Sequence, residues 1–342
     1  MYRIALMRVG VAGASGYAGM ELVRLLSAHP HFELEVLSGH STAGESIASH
    51  SPSLTGAVGG SNYAPTTADA FDGLDLVFVA LPHGASQDLV PALVAAGLTV
   101  VDLGADFRLS PDEYQRWYGE EHRAPELCAS AAYGLVERNR AALTGAALVA
   151  VPGCYPTAAN LGLGPFVDAG AIDVTDVIVD AASGLSGAGR APSDRLHFAA
   201  ADEDVVAYGL LDHRHTAEME LVLGASVLFT PHLVPMVRGM LATSYARPLD
   251  GLDSAGAMAI LHDAYDAEHF VHVVDAPPST KWASGSNAAF VTARVDERTG
   301  RLLVLSAIDN LGKGAAGQAV QCANVVAGIG ETAGLSNVGV YP

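Results

Sequence analysis

A chain of 342 residues is too long for one ordinary hydrophobic core and suits two domains. Half of it is hydrophobic and few residues are aromatic, the composition of an Ala- and Gly-rich α/β protein. Its formal net charge of −19, with only 18 Lys and Arg, repels nucleic acid and anionic membrane surfaces and excludes both as general partners. An anionic small molecule must then be held by local N–H groups and a few placed cations.

In chain order, Arg8 to Ala12 predicts a short buried strand. It runs into Gly13-Ala14-Ser15-Gly16-Tyr17-Ala18-Gly19 and an amphipathic helix over Met20 to Ala28. Arg3 and Arg8 would suit the front of a targeting segment, but the apolar stretch continues straight into these glycines, so the strand-and-turn reading takes precedence. Strand, glycine turn and helix form the context of a dinucleotide-phosphate cradle. The glycines let the backbone approach a pyrophosphate, and the helix N-terminus receives its charge. The spacing differs from the commoner G-x-G-x-x-G, so the context carries this reading more than the pattern does.

The next strand, Phe32 to Leu37, ends in Ser38-Gly39-His40-Ser41-Thr42, with no carboxylate before Glu45. An acid at this strand end would take the ribose 2′-hydroxyl of NAD; its absence favours NADP, whose 2′-phosphate an acid would repel. Two further β-rich runs follow. Leu74 to Leu81 ends at Pro82-His83-Gly84, and Leu98 to Leu103 ends in Gly104-Ala105-Asp106-Phe107-Arg108, with a helix over Ser86 to Ala96 between them. This alternation predicts βαβ units and a parallel sheet, whose ligands gather beyond the strand C-termini. His83, Arg108 and Cys154 all fall there, and Arg108 is a candidate clamp for a phosphate or carboxylate.

Ala141 to Val167 carries no charge and is long enough to span a bilayer, but Pro152, Pro156 and Pro165 argue against one continuous helix. Within it an apolar strand, Ala146 to Val151, is broken by Pro152-Gly153. Cys154 then stands at the start of a small-residue helix. A thiol at a helix N-terminus ionises more readily than a free one, and the thiolate is the nucleophile; a lone cysteine is equally a small buried hydrophobe. The three cysteines (Cys128, Cys154, Cys322) are too scattered for a disulfide framework or a zinc site, so a reducing cytoplasm is the economical setting.

Beyond Cys154 a strand is expected over Val177 to Ala181, then a glycine-rich loop from Ser183 to Arg190 and the run His213-Arg214-His215-Thr216-Ala217-Glu218. Thr216 is expected to cap a helix, leaving His215 just outside it and Glu218 in its first turn, where the carboxylate orients the imidazole. No third ligand accompanies the two histidines and the acid, so no metal site is expected. A strand over Met240 to Ala246, a helix over Ala255 to Tyr265 and a β pair, Phe290 to Val295 with Leu302 to Ile308, come next. The loop from Asn310 to Gln318 then feeds a helix, Ala319 to Gly328.

Five stretches now stand together: Gly13 to Gly19, Pro152 to Ala158, Ser183 to Gly189, His213 to Thr216 and Lys313 to Gln318. In this order and over essentially the whole length, the chain resembles the N-acetyl-γ-glutamyl-phosphate reductases, NADPH-dependent enzymes of arginine biosynthesis. The resemblance implies a fold of the semialdehyde and glyceraldehyde-phosphate dehydrogenase type. A Rossmann-type parallel-sheet NADP-binding domain would comprise residues 1–152 and 314–342, and an α+β catalytic and oligomerisation domain residues 153–313. It implies Cys154 as the nucleophile that takes the acyl group, His215 as the proton carrier with His213 as its rival, and Glu218 as the orienting acid. Cofactor contacts are implied at Gly13, Ala14, Ser15, Gly16, Tyr17, Ser38, His40, Ser41, Pro82, Ser183, Gly184, Asn310 and Gln318, and substrate contacts at Arg108, Tyr155, Arg190 and His213. A small acyl-phosphate substrate and a homo-oligomer, dimer or tetramer, complete the expectation. The chain departs from the family pattern at Ala217, where proline is common, at His40, where Arg is frequent, and at Gly312 before Lys313. A sibling reductase of aspartyl or acetylaminoadipyl phosphate, or an NADP-binding sensor with Cys154 as a redox switch, are the competing readings.

Overall fold

The structure is a computed structural model that describes residues 6–341; Arg3 lies outside the described residues. The chain divides into two compact units, Met1–Pro152 with Ala315–Leu335, and Gly153–Gly314 with Ser336–Pro342.

In the first unit six strands form a wholly parallel sheet: β1 (Met7–Ala12), β2 (Phe32–Ser38), β3 (Leu76–Val79), β4 (Thr99–Asp102), β5 (Ala132–Tyr133) and β6 (Leu148–Ala150), in the order β2-β1-β3-β4-β6-β5. Every residue of β3 is buried, as befits a parallel strand covered on both faces. Val9, Val11, Leu76, Phe78 and Val101 pack on one face with Leu22, Val23 and Leu26 of α1 (Tyr17–Leu26) and Val320 and Ala323 of the last helix, Gly317–Val326. Val77, Val79, Val100 and Leu148 point the other way, onto Leu89, Val90 and Leu93 of α2 (Ser86–Ala95). Full burial of each such Val or Leu contributes about 1.5–3 kcal/mol. Two further helices, α3 (Pro111–Tyr118) and α4 (Val136–Leu143), complete the connections. Strand order reverses at β1, with β2 on one side and β3 on the other, so the ligand crevice opens at the C-terminal end of β1, at Gly13.

The second unit is a seven-stranded mixed sheet: β7 (Ile172–Gly184), β8 (Val206–Ala207), β9 (Val227–Val234), β10 (Met240–Pro248), β11 (Val271–Val273), β12 (Ala289–Asp296) and β13 (Arg301–Ile308), in the order β11-β12-β13-β10-β7-β9-β8. Val179, Ser244 and Val304 form one cross-strand row, all buried. This face carries α5 (Cys154–Asp168), and Gly162 lets the helix come close, since a Cβ there would sit 3.2 Å from Val304. The adjacent row, Ile178, Tyr245 and Leu303, faces the opposite way and is half-buried. Helix α6 (His215–Leu223) and helix α7 (Ser254–Tyr265), capped by Asp253 on the Gly256 N–H at 2.7 Å, finish the unit.

Three expectations are corrected. Helix α6 starts at His215, one residue before the expected cap Thr216, which is itself buried in the first turn. Residues 336–341, expected with the first domain, pair instead with the second unit. Val340 N–H reaches the Ser284 carbonyl at 2.7 Å, and Asn287 N–H the Ser336 carbonyl at 2.8 Å. Gly339 permits this path, since a Cβ would overlap the Trp282 carbonyl. The expected loop before the last helix contains a π-helical turn, Gly312–Ala316. Among the described residues no helix is long and apolar enough to cross a membrane; the uncharged stretch 141–167 is divided between the end of α4, β6 and α5.

Candidate active site

Cys154 is the first residue of α5, half-buried, with Gly153 as its N-cap in extended conformation. The Gly153 carbonyl accepts from both the N–H and the hydroxyl of Thr157 at 2.9 Å, which fixes the first turn. The Gly153 N–H donates to Glu218 Oε1 at 2.9 Å. Glu218, itself buried, thus brings the first turn of α6 to the N-terminus of α5. His215, at the start of the same turn, places its ring 5.8 Å from that of Tyr155, the residue after the cysteine, and 4.9 Å from that of His213. The sequence-expected trio is therefore gathered around the first turn of α5.

The two histidines differ in surroundings. His213 packs against Tyr155, Tyr208 and Phe229, with centroids 5.3 to 5.6 Å away. Burial pushes its pKa down to about 4, against the opposing effect of Asp212. Its Nδ1 accepts the His215 N–H at 3.2 Å. A neutral ring thus satisfies a first-turn donor of α6, the task expected of Thr216. The Tyr155 hydroxyl donates to the His232 carbonyl at 3.2 Å and receives the Tyr208 hydroxyl at 3.1 Å. Burial raises both phenols, Tyr208 to about 12, so both stay protonated donors at neutral pH.

Ser183, Gly184 and Asn310 come together at the end of β7. Gly184 N–H donates to the Gly239 carbonyl at 2.9 Å, and Gly239 N–H to Asn310 Oδ1 at 2.8 Å. Asn310 Nδ2 reaches Ser186 at 2.9 Å. A Cβ on Gly184 would lie 2.9 Å from the carbonyls of Met236 and Val237, so this approach needs glycine. Arg190 is exposed beyond the loop.

In the first unit, Gly13 and Ala14 donate to the Ser38 carbonyl at 3.1 and 2.8 Å, tying the glycine turn to the end of β2. Gly13 has φ +83°, and a Cβ there would meet the Ala80 carbonyl at 2.4 Å; one on Gly19 would meet the Gly13 carbonyl at 2.2 Å. Internal packing accounts for both glycines. Gly16, the N-cap of α1, has ordinary φ, and its added Cβ would find nothing nearer than 3.7 Å, so the approach to the N-terminus of α1 is open on this side. Its neighbours Ser15 and Tyr17 are half-buried and exposed, and Pro82 lines the loop after β3. The residues fit a dinucleotide pyrophosphate. Ser38 is fully buried with its hydroxyl on Thr66 at 3.0 Å, whereas His40 and Ser41 are exposed at the strand end, whose run Ser38 to Thr42 contains no acid. Gln318 is buried in the last helix and donates to the Gly134 carbonyl at 2.6 Å. Arg108 lies half-buried beyond β4, its guanidinium on the Leu103 carbonyl at 2.7 Å. Nearby, burial lifts the Asp102 carboxyl to about 7, against the opposing hydrogen bonds from Gly104 N–H and Ser86.

Among known proteins, an N-acetyl-γ-glutamyl-phosphate reductase of Desulforudis audaxviator is 46% identical over 98% of this chain and 100% of its own length. Proteins of the same name from Symbiobacterium thermophilum and Halorhodospira halophila are each 45% identical over 98% of the chain, and over 99% and 100% of their own lengths. The chain belongs to the N-acetyl-γ-glutamyl-phosphate reductase family. Within it, residues 8–146 match the semialdehyde dehydrogenase NAD-binding domain and residues 154–310 the semialdehyde dehydrogenase dimerisation domain. The fold is shared with aspartate semialdehyde dehydrogenase II of Vibrio cholerae (TM-score 0.72) and with the Candida albicans aspartate semialdehyde dehydrogenase solved with NADP (TM-score 0.69). Each is 17% identical over 94% of this chain and 98% of its own.

The resemblance read from the five motifs and the α/β fold expected with it are both borne out. Sequence reasoning assigned no role to Tyr208, Arg238 or Asp309. Only the polar pair Asp309-Asn310 at the end of a β-rich run gave a readable signal, by the same strand-end logic that singled out Arg108.

Proposed function

We propose that the chain reduces N-acetyl-γ-glutamyl phosphate to N-acetylglutamate γ-semialdehyde and phosphate with NADPH, as a cytoplasmic homo-oligomer serving arginine biosynthesis. The observation that carries the mechanism is the placement of Cys154 on the first turn of α5, with the carboxylate of Glu218 on the preceding N–H and His215 one turn earlier on the same helix.

In this reading the Cys154 thiolate attacks the acyl carbon, the carbon–oxygen bond to phosphate breaks, and a thioester on Cys154 results. N–H groups at the start of α5 stabilise the oxyanion, and Arg108, Arg190 and Tyr155 hold the substrate's anionic and polar groups. The reduced nicotinamide, when bound through the Gly13–Gly19 turn, Pro82, Ser183, Gly184, Asn310 and Gln318, supplies the hydride. The resulting thiohemiacetal loses its hydroxyl proton, the carbonyl re-forms, and the carbon–sulfur bond breaks to release the semialdehyde and regenerate the thiolate. His215 carries the proton, a role worth about 10²–10⁴-fold. Support for His215 over His213 comes from His213 Nδ1 being taken by the His215 N–H within a ring that burial keeps neutral. The preference for NADP rests on the absence of a carboxylate at the end of β2, with His40 and Ser41 exposed there. The family matches at 8–146 and 154–310 support giving the first unit, which includes the last helix, to the cofactor and the second to chemistry and assembly.

Cys154→Ser should abolish turnover, assayed as phosphate-dependent oxidation of the semialdehyde, while NADPH binding followed by fluorescence stays near normal. Full activity in that variant would sink the nucleophile assignment. Faster oxidation of aspartate semialdehyde than of the acetylglutamate compound would sink the substrate assignment.

A further inference from the structure

Asp309, at the end of β13, is a fully buried carboxylate with donors on every side. Its Oδ1 accepts from the N–H groups of Leu311 at 2.8 Å and Gly312 at 3.1 Å, and its Oδ2 from Gly285 N–H at 2.6 Å and Arg238 Nε at 2.9 Å. Its own carbonyl accepts from Gly314 N–H at 2.9 Å. One residue therefore ties three chain segments to the π-helical turn Gly312–Ala316. Only an acceptor-only group satisfies all four donors, since an amide would turn its NH₂ toward one pair of them. Arg238 compensates the buried charge.

That turn is pressed against the nucleophile. A Cβ on Gly314 would lie 2.8 Å from the Cβ of Cys154 and 3.3 Å from its Cα. Gly312 passes equally close to the Ser286 carbonyl, where a Cβ would come within 2.2 Å. Lys313, between the two glycines, is fully buried with its Nζ 5.7 Å from the centre of the Phe270 ring.

We propose that Asp309 and Gly314 are positioning residues for Cys154: the buried carboxylate fixes the turn, and the side-chain-free Gly314 sets the wall against which the cysteine is held. This rests on the reading of Cys154 as the nucleophile, and its test is independent of turnover. The rate of alkylation of Cys154 by iodoacetamide is measured against pH by peptide mass spectrometry. Half-buried Cys128, whose thiol burial pushes up to about 11, serves as internal reference and buried Cys322 as a reporter of unfolding. In Asp309→Asn and in Gly314→Ala, the Cys154 rate should fall about tenfold or more and its pH midpoint should move, with Cys128 unchanged; kcat should drop about 10²-fold with little change in KM. Asp176→Asn, which removes a surface pair with Arg301 on the same sheet, should alter neither. A wild-type alkylation rate and pH profile for Cys154 in both variants would overturn the proposal. If Asp309→Asn unfolds and exposes Cys322, Gly314→Ala decides alone: its φ lies outside the left-handed region, so the strain falls on the methyl's contacts with Cys154 and the Asp309 carbonyl rather than on its own backbone dihedrals, and an unreactive Cys322 shows that the fold is kept. If the wild type reduces no acyl phosphate the proposed reaction fails, but the alkylation comparison still judges the positioning.

Discussion

At the residue scale, burial separates side chains that look alike in the sequence. His213 and His215 are two positions apart, yet His213 is folded into an aromatic cluster that disfavours its charged form. Its pKa falls from the ordinary 6.5 to about 4, so in this range the unfolded chain binds a proton that the folded chain does not. The stability that His213 contributes is complete above about pH 6.5 and is lost as pH falls toward about 4. We expect the urea midpoint to decline over this window, and His213→Asn, which keeps an acceptor for the His215 N–H but does not titrate, to flatten that decline. An unchanged slope in the variant would remove His213 as its source. Glu218 makes a similar point: local sequence puts its carboxylate beside the imidazole, and the fold sets it on the Gly153 N–H at 2.9 Å, a contact no local pattern announces. A buried N–H left without such a partner would cost about 1–3 kcal/mol.

At the element scale, the strand, turn and helix around Gly13–Gly19 distinguish glycines that packing requires from one that faces open space. Gly19→Ala would drive a Cβ to 2.2 Å from the Gly13 carbonyl and should destabilise the protein by about 1–3 kcal/mol in denaturant titration. Gly16→Ala meets open space and should cost less than Gly19→Ala, about 1 kcal/mol or under from the weaker N-cap, while weakening NADPH binding about tenfold or more if the proposed pyrophosphate site at the start of α1 is right. Equal effects of the two substitutions on stability would contradict this division. The elements themselves were readable where periodicity and turn chemistry agree: β1, β3, β4, α2, the antiparallel β12–β13 pair and the start of α5 lie within a few residues of expectation. Boundaries slipped where side-chain chemistry acts through space, as at α6, where a histidine two residues before the helix replaced the expected hydroxyl cap.

At the scale of the whole molecule, the match of residues 154–310 to a dimerisation domain gives the mixed sheet its context. One face of that sheet is covered by α5, while the row Ile178, Tyr245 and Leu303 on the other is half-buried. A second copy laid on this face would bury that row. Leu303→Glu should then shift the sedimentation coefficient toward that of a monomer without loss of secondary structure; an unchanged coefficient would place the interface elsewhere.

The sequence by itself determined the class and the chemistry, because both depend on local pattern. Alternating strands and helices require a parallel sheet. A glycine turn between β1 and α1 has the form of a phosphate cradle. A cysteine after Pro152-Gly153 starts a helix, and five motifs in fixed order identify the family. What only the tertiary structure decided are the partnerships between residues far apart in the chain. These are Glu218 on Gly153, Asp309 on Gly285 and Arg238, Gly314 against Cys154, and the tail after Ser336 on the second unit. A buried donor accepts whichever acceptor the packed chain brings within hydrogen-bond reach, and nothing in the local sequence names it.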